Sequence, residues 1–181
     1  MATATSTRGS CSGVPQRGRM SDASSPSALW ERLSGPLLEE VYAAVAPAYP
    51  SEGCGFVFED EQGSLRVLPA ENLAKGRGGV DVDGGVRTAA DWFEPDMRPW
   101  LRAERAGWTA RIIFHSHPDV GAYFSKSDRA MALFPDDDGT LLERNPGVLH
   151  LVVSVRQGVA DGAALFGFDE ALRDFVELAR R

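Results

Sequence analysis

Between residues 28 and 46, Leu37, Leu38, Val41, Tyr42 and Val45 recur three and four positions apart. That spacing predicts a core-facing helix, with Pro36 near its start and Pro47 beyond its end. Residues 55–58 and 64–68 predict two short strands joined by a turn at Glu61, Gln62 and Gly63. The glycine-rich run 76–85 predicts a loop. Residues 91–106, opening at a plausible Asp91 cap and carrying Trp92, Phe93, Met97, Trp100 and Leu101, predict a second helix interrupted near Pro95 and Pro99. Further on, 110–117 reads as a strand, 125–134 as a helix, 149–155 as a buried strand and 163–168 as another strand. A terminal amphipathic helix is expected over 169–181. Helices alternating with strands imply a sheet covered by helices, an α/β layered domain.

Composition bounds this picture. Residues 1–27 are mostly Ser, Thr, Gly, Ala and Arg, with too little apolar surface to offset the entropy of ordering, so they are expected to form a disordered tail. The tail resembles a transit peptide in being Arg- and Ser-rich but lacks an amphipathic period, and Met20 serves as well as Met1 for an initiator. Residues 28–181, with 43% hydrophobic residues in the chain as a whole, suffice for one domain. The tail carries Arg8, Arg17 and Arg19 against Asp22, so a chain of net charge −7 has a strongly acidic body. Together with a pI near 5.0, this argues against nucleic acid as a partner. No apolar run reaches the roughly 18 to 20 residues that cross a bilayer, and no signal-peptide core is present, so no membrane partner is expected and the protein reads as cytoplasmic. Cys11 and Cys54 suggest neither a disulfide framework nor a CxxC site, and Cys54 reads as a small buried filler.

The chemistry concentrates in His115-Ser116-His117-Pro118 and the following Ser125-Lys126-Ser127-Asp128. On a strand, His115 and His117 project to one face beside Ile113, while Ile112, Phe114 and Ser116 face the other way. Pro118 ends the ladder and leaves both imidazoles at the strand's C-terminal end, where α/β sheets tend to place their ligand crevices. Asp128 can return across the loop as a third ligand. Two nitrogens and one oxygen leave a tetrahedral position open, the pattern of a catalytic zinc site, although iron and manganese accept the same donors. The bland readings stand beside this one at this point: an HxH pair also arises as two half-buried histidines, and Ser125-x-x-Asp128 resembles a helix capping box. His150 precedes an apolar strand without ligand-like spacing and reads as structural.

The run His115-x-His117-Pro118-x6-Ser125-x2-Asp128, with Glu52 upstream in Tyr49-Pro50-Ser51-Glu52-Gly53-Cys54-Gly55, resembles the JAMM motif of the MPN+ zinc metalloprotease family, in its short bacterial form. Asn72-Leu73-Ala74 is similar to that family's Asn-x-Ala segment. The resemblance runs from about residue 35 onward. It implies an MPN-type mixed sheet flanked by helices, one zinc held by His115, His117 and Asp128, Glu52 as general base and Ser125 as oxyanion donor. Water made acidic by zinc would then attack an amide carbonyl without a covalent intermediate. It also implies a protein substrate, a ubiquitin-like β-grasp sulfur carrier cut after its C-terminal Gly-Gly. Two other readings compete. A PHP-type or amidohydrolase barrel needs more residues and more histidines than this chain has. A catalytically silent MPN scaffold would keep the fold and act through partners.

Overall fold

The computed structural model describes residues 25–77, 79–80 and 84–181. Helices α1 (Pro26–Leu33) and α2 (Pro36–Val45) precede the hairpin of β1 (Cys54–Glu59) and β2 (Leu65–Ala70). A small ribbon, β3 (Gly79–Val80) with β4 (Val86–Arg87), and helix α3 (Arg98–Arg105) lead to β5 (Thr109–Pro118). Helix α4 (Lys126–Ala132) and a second ribbon, β6 (Leu133–Pro135) with β7 (Leu141–Glu143), connect β5 to β8 (Leu149–Arg156), which is followed by β9 (Val159–Asp169) and β10 (Asp174–Arg180).

Six strands form one mixed sheet in the order β10-β9-β8-β5-β1-β2. β5 and β8 run parallel and the other neighbours are antiparallel. A parallel pair needs a crossover, and the crossover here carries α4. α1 and α2 pack Leu29, Leu33, Leu38, Val41 and Val45 onto one face of the sheet, over Val57, Ile112, Phe114 and Leu151. The opposite face carries Phe56, Phe58 and Ile113 under α3, with Trp100 meeting both phenylalanine rings edge-on at 5.2 and 5.0 Å. Farther along that face, Val152, Ala164 and Phe166 lie with Phe124, Ala132 and Phe175. This is the expected α/β architecture, a mixed sheet between helices. Because both faces are covered, β1 and β8 are buried almost end to end and read as continuous apolar runs rather than alternating ones. Gly55 is required in β1: a Cβ there would lie 2.4 Å from the Phe114 ring and 2.6 Å from the Leu68 carbonyl oxygen.

Several expectations need correction. The helix expected over 28–46 is two helices, broken where Gly35 takes φ 85°, a conformation open to glycine, and Pro36 starts the next helix. α1 also begins earlier, at Pro26 with Ser25 as its cap; the remainder of the expected tail, residues 1–24, lies outside the described residues. Only Arg98–Arg105 of the 91–106 segment is helical. Asp91 accepts from Thr88 N instead of capping a helix, and residues 94–96 bond to 71–73 as extended chain. The 76–85 loop contributes β3, and its residues 78 and 81–83 lie outside the described residues. The terminal segment is no helix: residues 174–180 form the edge strand β10, paired with β9 through a register shift between Glu177 and Ala179. Cys54 is buried as expected, and burial pushes its thiol up to about 12. Among the described residues no helix is long and apolar enough to cross a membrane.

Candidate metal centre

His115 and His117 sit at the end of β5 on the face shared with Ile113, the side predicted from strand alternation. Their Nε2 atoms are 3.1 Å apart. Asp128 reaches them from the first turn of α4, with Oδ1 3.3 Å from His115 Nε2 and Oδ2 3.5 Å from His117 Nε2. The capping box explains this placement. Ser125 N donates to Asp128 Oδ2 at 2.7 Å and Asp128 N donates to Ser125 Oγ at 3.1 Å, so the cap that starts α4 also fixes the carboxylate. The capping and ligand readings of Ser125-x-x-Asp128 are therefore compatible.

These distances test whether the residues fit a metal. Tetrahedral bonds of about 2.0–2.1 Å from nitrogen and oxygen to zinc place neighbouring donors about 3.3–3.4 Å apart. The observed separations of 3.1, 3.3 and 3.5 Å bracket that spacing, and all three residues are buried. The Nδ1 atom of His117 faces the Gly121 carbonyl at 3.3 Å. A carbonyl only accepts, so Nδ1 carries the proton and Nε2 offers its lone pair to the site. His115 is held differently, its ring stacked on Phe93 at 4.4 Å and its Nδ1 buried without a hydrogen-bond partner among the described residues. Burial pushes the His115 pKa down, against the pull of Asp128. Burial also raises the Asp128 carboxyl, but the two imidazoles facing it, His115 foremost, outweigh that and hold the acid well below its usual range. A neutral imidazole beside an ionised carboxylate is the state a cation needs. The buried His115–His117–Asp128 group can hold a metal ion.

Glu52 enters from the segment before β1. Its Oε1 lies 3.9 Å from His117 Nε2, and the residue is 4% exposed. Burial pushes its carboxyl up to about 9, helped by the charges of Asp128 and Asp91 and opposed by Arg87. The main chain here is pinned from three sides. Gly53 N donates to Ser116 Oγ and Ser116 N to the Gly53 carbonyl, each at 2.9 Å. Asn72 Nδ2 donates to the Glu52 carbonyl at 3.0 Å, and Glu52 N donates to Ala89 O. The structure thus brings together the five residues singled out in the sequence, Glu52, His115, His117, Ser125 and Asp128.

Other contributors went unassigned in the sequence. Asn72 is 3% exposed and also donates to Trp92 O while accepting from Ala74 N and Glu94 N, so one amide ties the 92–94 chain to Glu52. Its signal was a lone Asn in a segment noted only as resembling Asn-x-Ala. Tyr123, half-exposed, sets its ring 4.9 Å from that of His117. Arg87 Nη2 donates to Ser127 Oγ at 3.0 Å and joins the β3–β4 ribbon to α4. His150 is no donor in the cluster; it is buried between Phe124 and Phe175 at ring distances of 5.1 and 5.0 Å.

The solution structure of protein DSY2949 from Desulfitobacterium hafniense superposes with a TM-score of 0.52 at 23% identity, over 78% of this chain and 84% of that one, which shows a shared fold. A protein from Salinibacter ruber is 26% identical over 80% of this chain and 87% of its own, at a TM-score of 0.48. No curated protein matches. The profile of prokaryotic homologs of the JAB domain matches residues 34–160, a span that holds both histidines, Asp128 and Glu52, and the chain belongs to that family.

Proposed function

We propose that the chain is a zinc-dependent peptidase or isopeptidase that cuts a ubiquitin-like β-grasp sulfur carrier after its C-terminal Gly-Gly. The observation that carries this reading is the convergence of three donors at metal-binding separations with a buried carboxyl 3.9 Å from one of them. Two imidazoles and one carboxylate suit zinc better than magnesium or calcium, which prefer all-oxygen shells. When bound, zinc supplies a Lewis acid that polarises the amide carbonyl and makes water acidic, and its charge draws the Glu52 pKa down.

The remaining work falls to side chains. Glu52 Oε1 accepts a proton from the attacking water, whose oxygen bonds to the carbonyl carbon; as the C–N bond breaks, the same carboxyl returns the proton to the leaving nitrogen. Ser125 Oγ already accepts from Asp128 N, so its hydroxyl hydrogen is the part left to donate to the developing oxyanion. Asn72 and Ser116 keep the Glu52 backbone in place throughout.

The test is a β-grasp carrier extended beyond its Gly-Gly by an amide-linked residue, followed by intact mass. Wild-type protein holding about one zinc per chain should cleave after the second glycine. Glu52→Gln should retain the metal and lose about 10² to 10⁴ in kcat. If that variant turns over at the wild-type rate, Glu52 is not the base; if it loses zinc in step with activity, Glu52 is a ligand or a support. Cleavage of no carrier by the zinc-loaded protein would leave the scaffold reading standing.

A further inference from the structure

Beside the three donors, the sheet face under α3 and α4 holds a cavity of about 250 Å³. Its walls are mainly apolar, with Phe93, Trp100, Ile113, Met131 and Ala132 among them. His115 and Asp128 belong both to this wall and to the donor set, so a group filling the cavity lies against the reacting centre. The walls are firm: Trp100 is locked between Phe56 and Phe58, and Phe93 is stacked on His115. Met97, 43% exposed, and the exposed Arg144 also border the cavity and bring it to the surface.

Size and charge narrow the occupant. An apolar cavity of about 150 Å³ takes benzene, so 250 Å³ accommodates an aromatic ring with its methylene, or a methionine side chain. A lysine or arginine would meet the Arg144 guanidinium, whose Nε and Nη2 are already tied to the Met131 and Leu133 carbonyls. The one carboxylate on the wall, Asp128, is committed to the histidines. The polar groups that interrupt the lining come from His115, Asp128, Arg144, Asn145 and His150. An apolar cleft with a few convergent polar groups is the usual form of a binding pocket.

We propose that this cavity is the specificity pocket for the residue on the amine side of the scissile bond, and that this residue carries an aromatic or methionine side chain. The inference rests on the peptidase reading above. Glycine has no side chain to fill a cavity, so cleavage after Gly-Gly leaves the amine side to supply the occupant.

The experiment uses the full, zinc-loaded chain and four carriers extended after Gly-Gly by Phe, Met, Ala or Lys. The Phe and Met carriers should exceed the Ala and Lys carriers in kcat/KM by about tenfold or more. Ala132→Phe, which fills the cavity from α4, should bring the Phe carrier down to the level of the Ala carrier; Met131→Trp serves the same purpose should the first variant not fold. In parallel, N-acetylphenylalaninamide is titrated into the wild-type protein while the methyl resonances of Met97 and Met131 are followed, with N-acetylalaninamide as control. Equal rates for the four carriers overturn the pocket and leave the peptidase reading intact. Cleavage of none overturns that reading, and the titration then decides the cavity. Methyl shifts with the aromatic amide alone support it, and no shift at millimolar concentration overturns it.

Discussion

Replacing His150 with leucine should make the metal-free protein less sensitive to acid. The imidazole is enclosed by Phe124 and Phe175, and burial, with His115 adding to it and Asp128 opposing it, takes its pKa down to about 3 from an ordinary 6.5. A base whose folded pKa is depressed contributes stability that is full above the unfolded pKa and is lost as pH falls toward the folded one. At pH 7.5 neither state holds the proton. At pH 5.0 the unfolded chain takes it up and the folded chain does not, a gap of about 1.5 pH units, or about 2 kcal/mol at 1.36 kcal/mol per unit. Urea unfolding in chelator at pH 7.5 and 5.0 measures this. Wild-type protein should lose about 2 kcal/mol more than His150→Leu over that interval, equivalent to about 1 M in midpoint at a typical urea slope. Groups that do not act on His150 titrate in both proteins and cancel in the difference, while the effects of His115 and Asp128 are already contained in its shift. Parallel losses in the two proteins would refute the argument, because they would mean that the folded state accepts the proton at His150 at no cost.

The two roles of Asp128 can be separated: Asp128→Ala and Asp128→Asn should both lose most of the zinc on metal analysis, while in chelator only the alanine variant should forfeit the full capping contribution of about 1 kcal/mol in urea melts. Equal metal-free stability of the two variants would show that the cap contributes nothing. Asn72→Ala removes four hydrogen bonds, one of them to the Glu52 carbonyl, and should cost about 3 kcal/mol or more, with turnover falling further than zinc content. Activity that tracks zinc occupancy in that variant would show that Asn72 holds the fold and does not place Glu52.

The donor set was legible because it is local: strand alternation sets the two histidines side by side, and a capping pattern brings Asp128 back within one loop. Glu52 was legible by resemblance alone, since its approach depends on β1 pairing with β5, a contact that no local pattern encodes. The sheet face of β8 was visible as an apolar run. The segment 169–181 misled because Glu, Leu, Ala and Arg favour helix and the bulge between Glu177 and Ala179 breaks the alternation that marks a strand; pairing with β9 overrides propensity. Gly35 and Pro36 did punctuate 28–46, yet the i+3, i+4 spacing carried one helix across them. Neither the cavity nor the reach of Asn72 has a sequence signature, since both arise where α3, α4 and the sheet meet.

The three donors lie within fourteen consecutive residues, from His115 to Asp128, whereas Glu52 is brought alongside by the antiparallel pairing of β1 with β5 and the Ser116–Gly53 hydrogen bonds. On the peptidase reading, loading with metal and readiness to react would be properties of different stretches of chain, joined at one seam. A lesion at that seam, such as loss of the Ser116 hydroxyl, would leave an ion bound in a protein that does nothing with it. Metal content alone would then be a poor proxy for an intact catalyst, and loss-of-function variants that still hold their ion are to be sought where the segment before β1 meets β5, at Glu52, Gly53 and Ser116, rather than at the three donors themselves.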